Sequence, residues 1–132
     1  MAPMQADCPL CERIGAGPFL CETDVAVAMP DAYPVSPGHT LILPRRHVAD
    51  FFSLTEQEQA GLWALLLPVT GILDHSHHPA AYNIGLNAGR AAGQTVAHVH
   101  VHVIPRYEGD VADPRGGVRW VIPERADYWS SR

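Results

Sequence analysis

The chain has 132 residues, 47% of them hydrophobic, so one packed domain over residues 1–132 is expected and not a disordered tail. The formal net charge is −5. Proteins that grip polymeric nucleic acid through its phosphates are normally basic, so that class is disfavoured. No apolar run approaches a membrane span and the first residues lack a secretory pattern, so the expected location is cytoplasmic.

Residues 1–17 are short, polar and punctuated by Gly and Pro. They contain Cys8-Pro-Leu-Cys11 and read as a knuckle, not a helix. An odd cysteine count argues against a disulfide framework. The C-x-x-C pair points instead to metal or redox chemistry, and Cys21 reads as a buried thiol. "PFLCE" and "VAVAMPD" around Thr23-Asp24 read as strand, turn and strand. "DAYPVSPGH" is a loop, and "HTLILP" is a buried strand.

Thr55 to Glu58 fits a capping box that starts a helix. Leu62, Leu65, Leu66, Val69, Ile72 and Leu73 fall on one face of it. Pro68 should kink or split that helix. Trp63 and Leu67 lie beside the stripe and read as core edge, with a subunit contact as the alternative. "DHSHHP" ends the helix with solvated histidines. "AAYNIGLN" reads as a strand, "AGRAAGQT" as a Gly-rich loop and "VAHVHVHVIP" as the longest strand. Residues 106–132 carry Trp120 and Trp129 and read as an ordered C-terminal tail. The fold class is α+β, an antiparallel β-sheet with one main helix packed on it.

The chemistry concentrates in the last strand. Alternate residues of a strand share a face, so His98, His100 and His102 face one way and Val99, Val101 and Val103 the other. The valines suit a packed face. The histidines must line something polar. A metal site would use H-x-H as two ligands. Nucleophilic catalysis would use one imidazole, with its neighbours orienting it and moving a proton. Spacing leaves both open. Gly93-Gln94-Thr95 just before the row offers amides and neutral donors to an anion, which favours phosphate chemistry.

"GQTVAHVHVHVIPR" resembles the signature of the histidine triad (HIT) hydrolase family. "CPLCERI" resembles the zinc knuckle of bacterial-type members, "PVSPGHTLILPRRHV" the central strand and loop, and "RYEGDVADPRGGVRWVIP" the bacterial tails. The resemblance covers nearly the whole chain and is nearest the dinucleoside polyphosphate hydrolase branch. It implies a HIT-like sheet and a homodimer. It also implies a hydrolase that attacks the α-phosphorus of a nucleotide and releases a nucleoside monophosphate through a nucleotidyl-histidine. His100 would be the nucleophile, His102 would contact the leaving side, and His39 would be the fourth active-site histidine. Gln94 and Thr95 match phosphate-binding positions, with Asp31 near the ribose and Asn87 near the phosphate. Cys8, Cys11, His47 and His98 would hold a structural zinc, and magnesium would travel with the substrate. A nucleotidyltransferase or phosphorylase would share the intermediate. A slow nucleotide-binding sensor and a metallohydrolase with the ion on the triad are other classes.

Overall fold

The apolar runs form five strands: β1 (Cys21–Glu22), β2 (Ala26–Pro30), β3 (Thr40–Pro44), β4 (Ala81–Gly85) and β5 (Val101–Arg106). They are seen in a computed structural model that describes residues 7–130. The strands pair antiparallel in the order β1-β2-β3-β5-β4. The register sets Leu41 of β3 and Gly85 of β4 on either side of His102.

Both faces of the sheet are covered. Ala26, Ala28, Ile42, Val99, Val101 and Val103 pack under Leu62, Leu65, Val69 and Leu73 of the main helical segment. On the other face Val27, Met29, Leu41 and Leu43 pack under Leu10 and Ile14.

The main helical segment begins at the capping box. The Thr55 hydroxyl accepts from Glu58 N–H at 3.0 Å, and the Glu58 carboxylate accepts from Thr55 N–H at 2.9 Å. The segment divides at Leu65 into α2 (Glu56–Ala64) and α3 (Leu66–His77). Pro68 then falls in the first turn of α3, where a missing N–H leaves no acceptor unmet. Gly61 lets α2 close on β2, because a Cβ there would strike the Val25 side chain. Trp63 and Leu67 are exposed, the latter at 82%, so they are not core edge. His75, His77 and His78 are exposed at the end of α3, as the sequence suggests.

Two expectations need correction. The knuckle contains a helix, α1 (Pro9–Ala16). Pro9 occupies its first turn, and the Cys8 sulfur caps it by accepting from Cys11 N–H at 3.3 Å. Residues 1–6 of that segment lie outside the described residues. The histidine strand is also shorter than it reads. Its ladder starts at Val101, because upstream His98 N–H turns back to the Val96 carbonyl and Val99 N–H bonds Val48. Alternation survives across the break: Val99, Val101 and Val103 are all in the core.

The tail folds into a 3-10 turn at Gly117–Val121 and a short α4 (Pro123–Ala126). Its last two residues lie outside the description. The Trp120 indole donates to the Arg115 carbonyl at 2.8 Å, and the Arg115 guanidinium lies 4.8 Å from the Trp129 ring centre. Among the described residues no helix is long and apolar enough to cross a membrane.

Candidate active site and metal centre

His98 and the two histidines after it do different things. His98 is fully buried, and its ring enters the layer between sheet and α1. Its Nε2 lies 2.9 Å from the Pro44 carbonyl. A carbonyl only accepts, so Nε2 carries the proton and Nδ1 keeps its lone pair. That lone pair faces the Cys8 and Cys11 sulfurs at 3.6 and 3.5 Å, and His47 Nδ1 lies 3.3 Å from Cys11 Sγ. The four ligand atoms lie within 4.8 Å of one another. Zinc bonds of about 2.3 Å to sulfur and about 2.0–2.1 Å to nitrogen set tetrahedral S and N ligands about 3.5 Å apart. The donor set, its burial and these separations fit a closed four-ligand site. Burial, with His47 and His100 nearby, holds the His98 imidazole below its ordinary pKa, which keeps it in the form a metal needs.

The loop carrying His47 is braced from α2. Arg46 makes a two-pronged contact with Glu58, at 2.8 and 2.7 Å. This contact, more than the burial that opposes it, lowers the Glu58 carboxyl from 4.5 to about 2.

His100 and His102 line an open cavity of about 340 Å3 with Asp31, Asn87, Gly93 and Thr95. His100 Nδ1 lies 2.8 Å from the carbonyl of His98. By the same reasoning Nδ1 is protonated and Nε2 presents a free lone pair. The backbone has fixed the tautomer of His100.

His102 is fixed by a longer chain. Val35 N–H donates to His39 Nδ1 at 3.1 Å, so His39 Nε2 bears the proton. That proton points at His102 Nδ1, 2.9 Å away, and Asp31 Oδ2 lies 3.4 Å from His39 Nε2. His102 must therefore carry its own proton on Nε2. His39 is buried, and desolvation lowers its pKa against the pull of Asp31. Burial also lowers His102, and the neighbouring His100 and His39 add to the effect. Both rings are favoured in the neutral form, as the chain of hydrogen bonds requires.

Asp31, His39 and His102 also have the composition of a metal site. Metal on His39 Nε2 would require its proton to move to Nδ1 and displace the Val35 N–H. The geometry favours a proton relay.

Asp31, Asn87 and Thr95 reach the cavity as the sequence suggests, and the structure does not bring Gln94 there with them. Its amide donates to the carbonyls of Ala49 and Val96 at 2.8 and 3.1 Å and accepts from Gly89 N–H at 2.9 Å. Gln94 pins the Gly-rich loop. Arg13 of α1 was not singled out from sequence, yet it lines the cavity and donates to the Pro30 carbonyl at 2.6 Å. No signal marks it unless residues 9–16 are read as a helix. The tail borders Asn83 and Ile104, two pairs along from Gly85 and His102 on β4 and β5. Cys21 is half-buried, and burial pushes its thiol up.

The HIT domain pattern matches residues 17–109. The chain belongs to the HIT family. The AP-4-A phosphorylase of Mycobacterium tuberculosis is 39% identical over 84 residues, 63% of this chain and 43% of that protein. The bis(5'-nucleosyl)-tetraphosphatase [asymmetrical] of Schizosaccharomyces pombe is 37% identical over 91 residues, 69% of this chain and 50% of that one. The HIT chain thus spans about half the length of these relatives. The crystal structure of a Zn-bound histidine triad family protein from Mycobacterium smegmatis superposes with a TM-score of 0.71 at 32% identity, covering 81% of this chain and 80% of that one. The α+β antiparallel sheet with its main helix is the architecture of these neighbours.

Proposed function

We propose that this HIT protein hydrolyses nucleotides at the α-phosphate, with dinucleoside polyphosphates as substrate class, and releases a nucleoside monophosphate. The observation that carries this reading is the pair of opposite, backbone-fixed tautomers. His100 offers a lone pair and His102 offers a proton to the same cavity.

His100 Nε2 attacks the α-phosphorus and forms a P–N bond while the P–O bond to the leaving phosphate breaks. The His102 Nε2 proton goes to the departing oxygen, and Asp31 and His39 hold that ring in place. Water then attacks the nucleotidyl-His100 as its proton passes to His102 Nε2, the P–N bond breaks, and both neutral imidazoles are restored. Thr95, Asn87 and the Gly93 backbone bind the phosphoryl oxygens. Leu10, Leu41 and Ala32 offer the base an apolar floor, and Asp31 stands near the ribose. Magnesium would neutralise the remaining phosphates.

Cys8, Cys11, His47 and His98 would hold a zinc ion, and four protein ligands would make it structural and not catalytic. A homodimer fits the exposed Leu67 and Trp63 and the free edge of β4. The phosphorylase named among the relatives keeps a second reading in play, in which phosphate replaces water as acceptor. The test is product analysis from diadenosine tetraphosphate in oxygen-18 water, with and without inorganic phosphate. Label in AMP supports hydrolysis. Phosphate-dependent ADP formation supports phosphorolysis, and no turnover of any dinucleotide or phosphoramidate supports a sensor.

A further inference from the structure

The cavity that holds His100 has a neighbour. A second cavity, of about 720 Å3, lies across the Gly-rich loop, and Gly93 and Thr95 line both. Its volume falls in the range of small-molecule sites, about 300–1,000 Å3. The loop between them is rigidly tied. Gly89 and Gly93 adopt φ of 100° and 101°, which other residues rarely tolerate. Gln94 N–H returns to the Gly89 carbonyl at 3.1 Å, and the Gln94 side chain anchors the loop to Ala49.

This loop presents Arg90 to the second cavity. The Arg90 side chain is exposed and has no hydrogen bond or ion pair among the described residues. Asp50 also lines the cavity, but its carboxylate is engaged, accepting from Phe52 N–H at 3.1 Å and from the Ser53 hydroxyl at 3.0 Å. A cation held by a stiff loop, unpaired in a chain of net charge −5, is placed to receive a phosphate.

We propose that this second cavity is the subsite for the leaving half of the substrate, a nucleoside polyphosphate whose phosphates engage Arg90. The inference rests on the hydrolase reading above. A dinucleotide needs room for two nucleosides on either side of the scissile phosphate. The two cavities, sharing Gly93 and Thr95, provide it. A substrate with an uncharged amine as leaving group would make no use of Arg90.

The test compares the native protein with Arg90→Ala and Arg90→Lys on diadenosine tetraphosphate and adenosine phosphoramidate. Arg90→Ala is expected to lower kcat/KM about tenfold on the tetraphosphate, the low end for one charge-assisted hydrogen bond at an exposed site. It should stay within about twofold on the phosphoramidate, and Arg90→Lys should recover part of the loss. A second arm measures binding by calorimetry in the His100→Ala protein. Adding Arg90→Ala should weaken diadenosine tetraphosphate about tenfold and leave AMP unchanged. Equal losses on both substrates, or none on the tetraphosphate, overturn the subsite while the hydrolase reading stands. Failure of the His100→Ala protein to bind either nucleotide, with no turnover in the native one, overturns both.

Discussion

The relay from Val35 through His39 to His102 is the part of the site most open to direct test. His39→Asn keeps an acceptor where Nδ1 meets Val35 N–H but removes the donor that faces His102 at 2.9 Å. His102 then loses the partner that fixes its tautomer and ring angle. A positioned general acid contributes about 10²–10⁴ in rate. His102 remains present, so the expected loss in kcat is about tenfold to a hundredfold. His39→Gln, which places a donor near the lost Nε2, should recover part of it. The loss should depend on the leaving group. It should be large for an alkyl ester of AMP, whose alkoxide needs a proton to leave, and small for the p-nitrophenyl ester of AMP, which leaves without one. The pH profile adds a second readout. His39 and His102 both titrate below the ordinary 6.5 because they are buried. A depressed histidine stays neutral through 6.5, so the native rate should hold through that pH and fall only at lower pH. Without the His39 ring the acid limb should move up toward 6.5. Single-turnover release of AMP from both substrates across pH 4.5–8 measures all of this. An equal loss on the p-nitrophenyl ester, with an unmoved acid limb, would refute the relay.

His100→Ala should abolish turnover while nucleoside monophosphate affinity changes only a few-fold, and quenching the native reaction should trap a P–N bond on His100; substantial residual turnover removes His100 from the role. Metal analysis should find one zinc per chain, lost with a fall in Tm in Cys8→Ser, with a smaller effect on kcat per folded molecule; full zinc content in the variant would exclude Cys8 as a ligand. Glu58→Gln should cost about 1–2 kcal/mol at pH 7, a charge-assisted pair discounted for its partly exposed Arg46. Because the Glu58 carboxyl is lowered from 4.5 to about 2, that advantage is complete above about pH 4.5 and vanishes as the pH falls to 2; a constant gap in urea midpoints over that range would contradict it.

What could be read from the sequence was what local chemistry decides. Thr55 and Glu58 make the capping box with each other, three residues apart, so nothing distant had to be known. The valine and histidine alternation after Ala97 reports two faces wherever the backbone is extended, even though the ladder starts only at Val101. The α1 helix was hidden because Pro9 signals a turn as well as a helix start. Its cap is the Cys8 sulfur and not one of the usual oxygen side chains. Gln94 looked like a phosphate donor because its partner Ala49 lies 45 residues away. The relay was half legible. The resemblance placed His39 beside the triad, but the tautomers depend on Val35 N–H and on the carbonyl of His98, groups every residue carries.

His98 lies between the cysteine cluster and the His100 cavity, and its polar contacts explain why the row has three histidines and not two. Its Nε2–H is spent on Pro44, so only Nδ1 can reach the cysteines. Its carbonyl accepts from His100 Nδ1 at 2.8 Å, so the peptide that a metal would steady is the one that orients the His100 ring. Leu10 and Arg13, on the helix that Cys8 caps, line the cavity of His100. A change at the metal cluster therefore reaches the chemistry by two routes, through the peptide under His100 and through the position of α1. The first route alters the rate with every substrate alike, because all of them meet the same Nε2. The second alters nucleotide affinity, because Leu10 and Arg13 wall the cavity. A Cys11→Ser protein that keeps its fold should therefore show a uniform loss in kcat together with a rise in the Kd for AMP. A selective effect on one leaving group would place the coupling elsewhere.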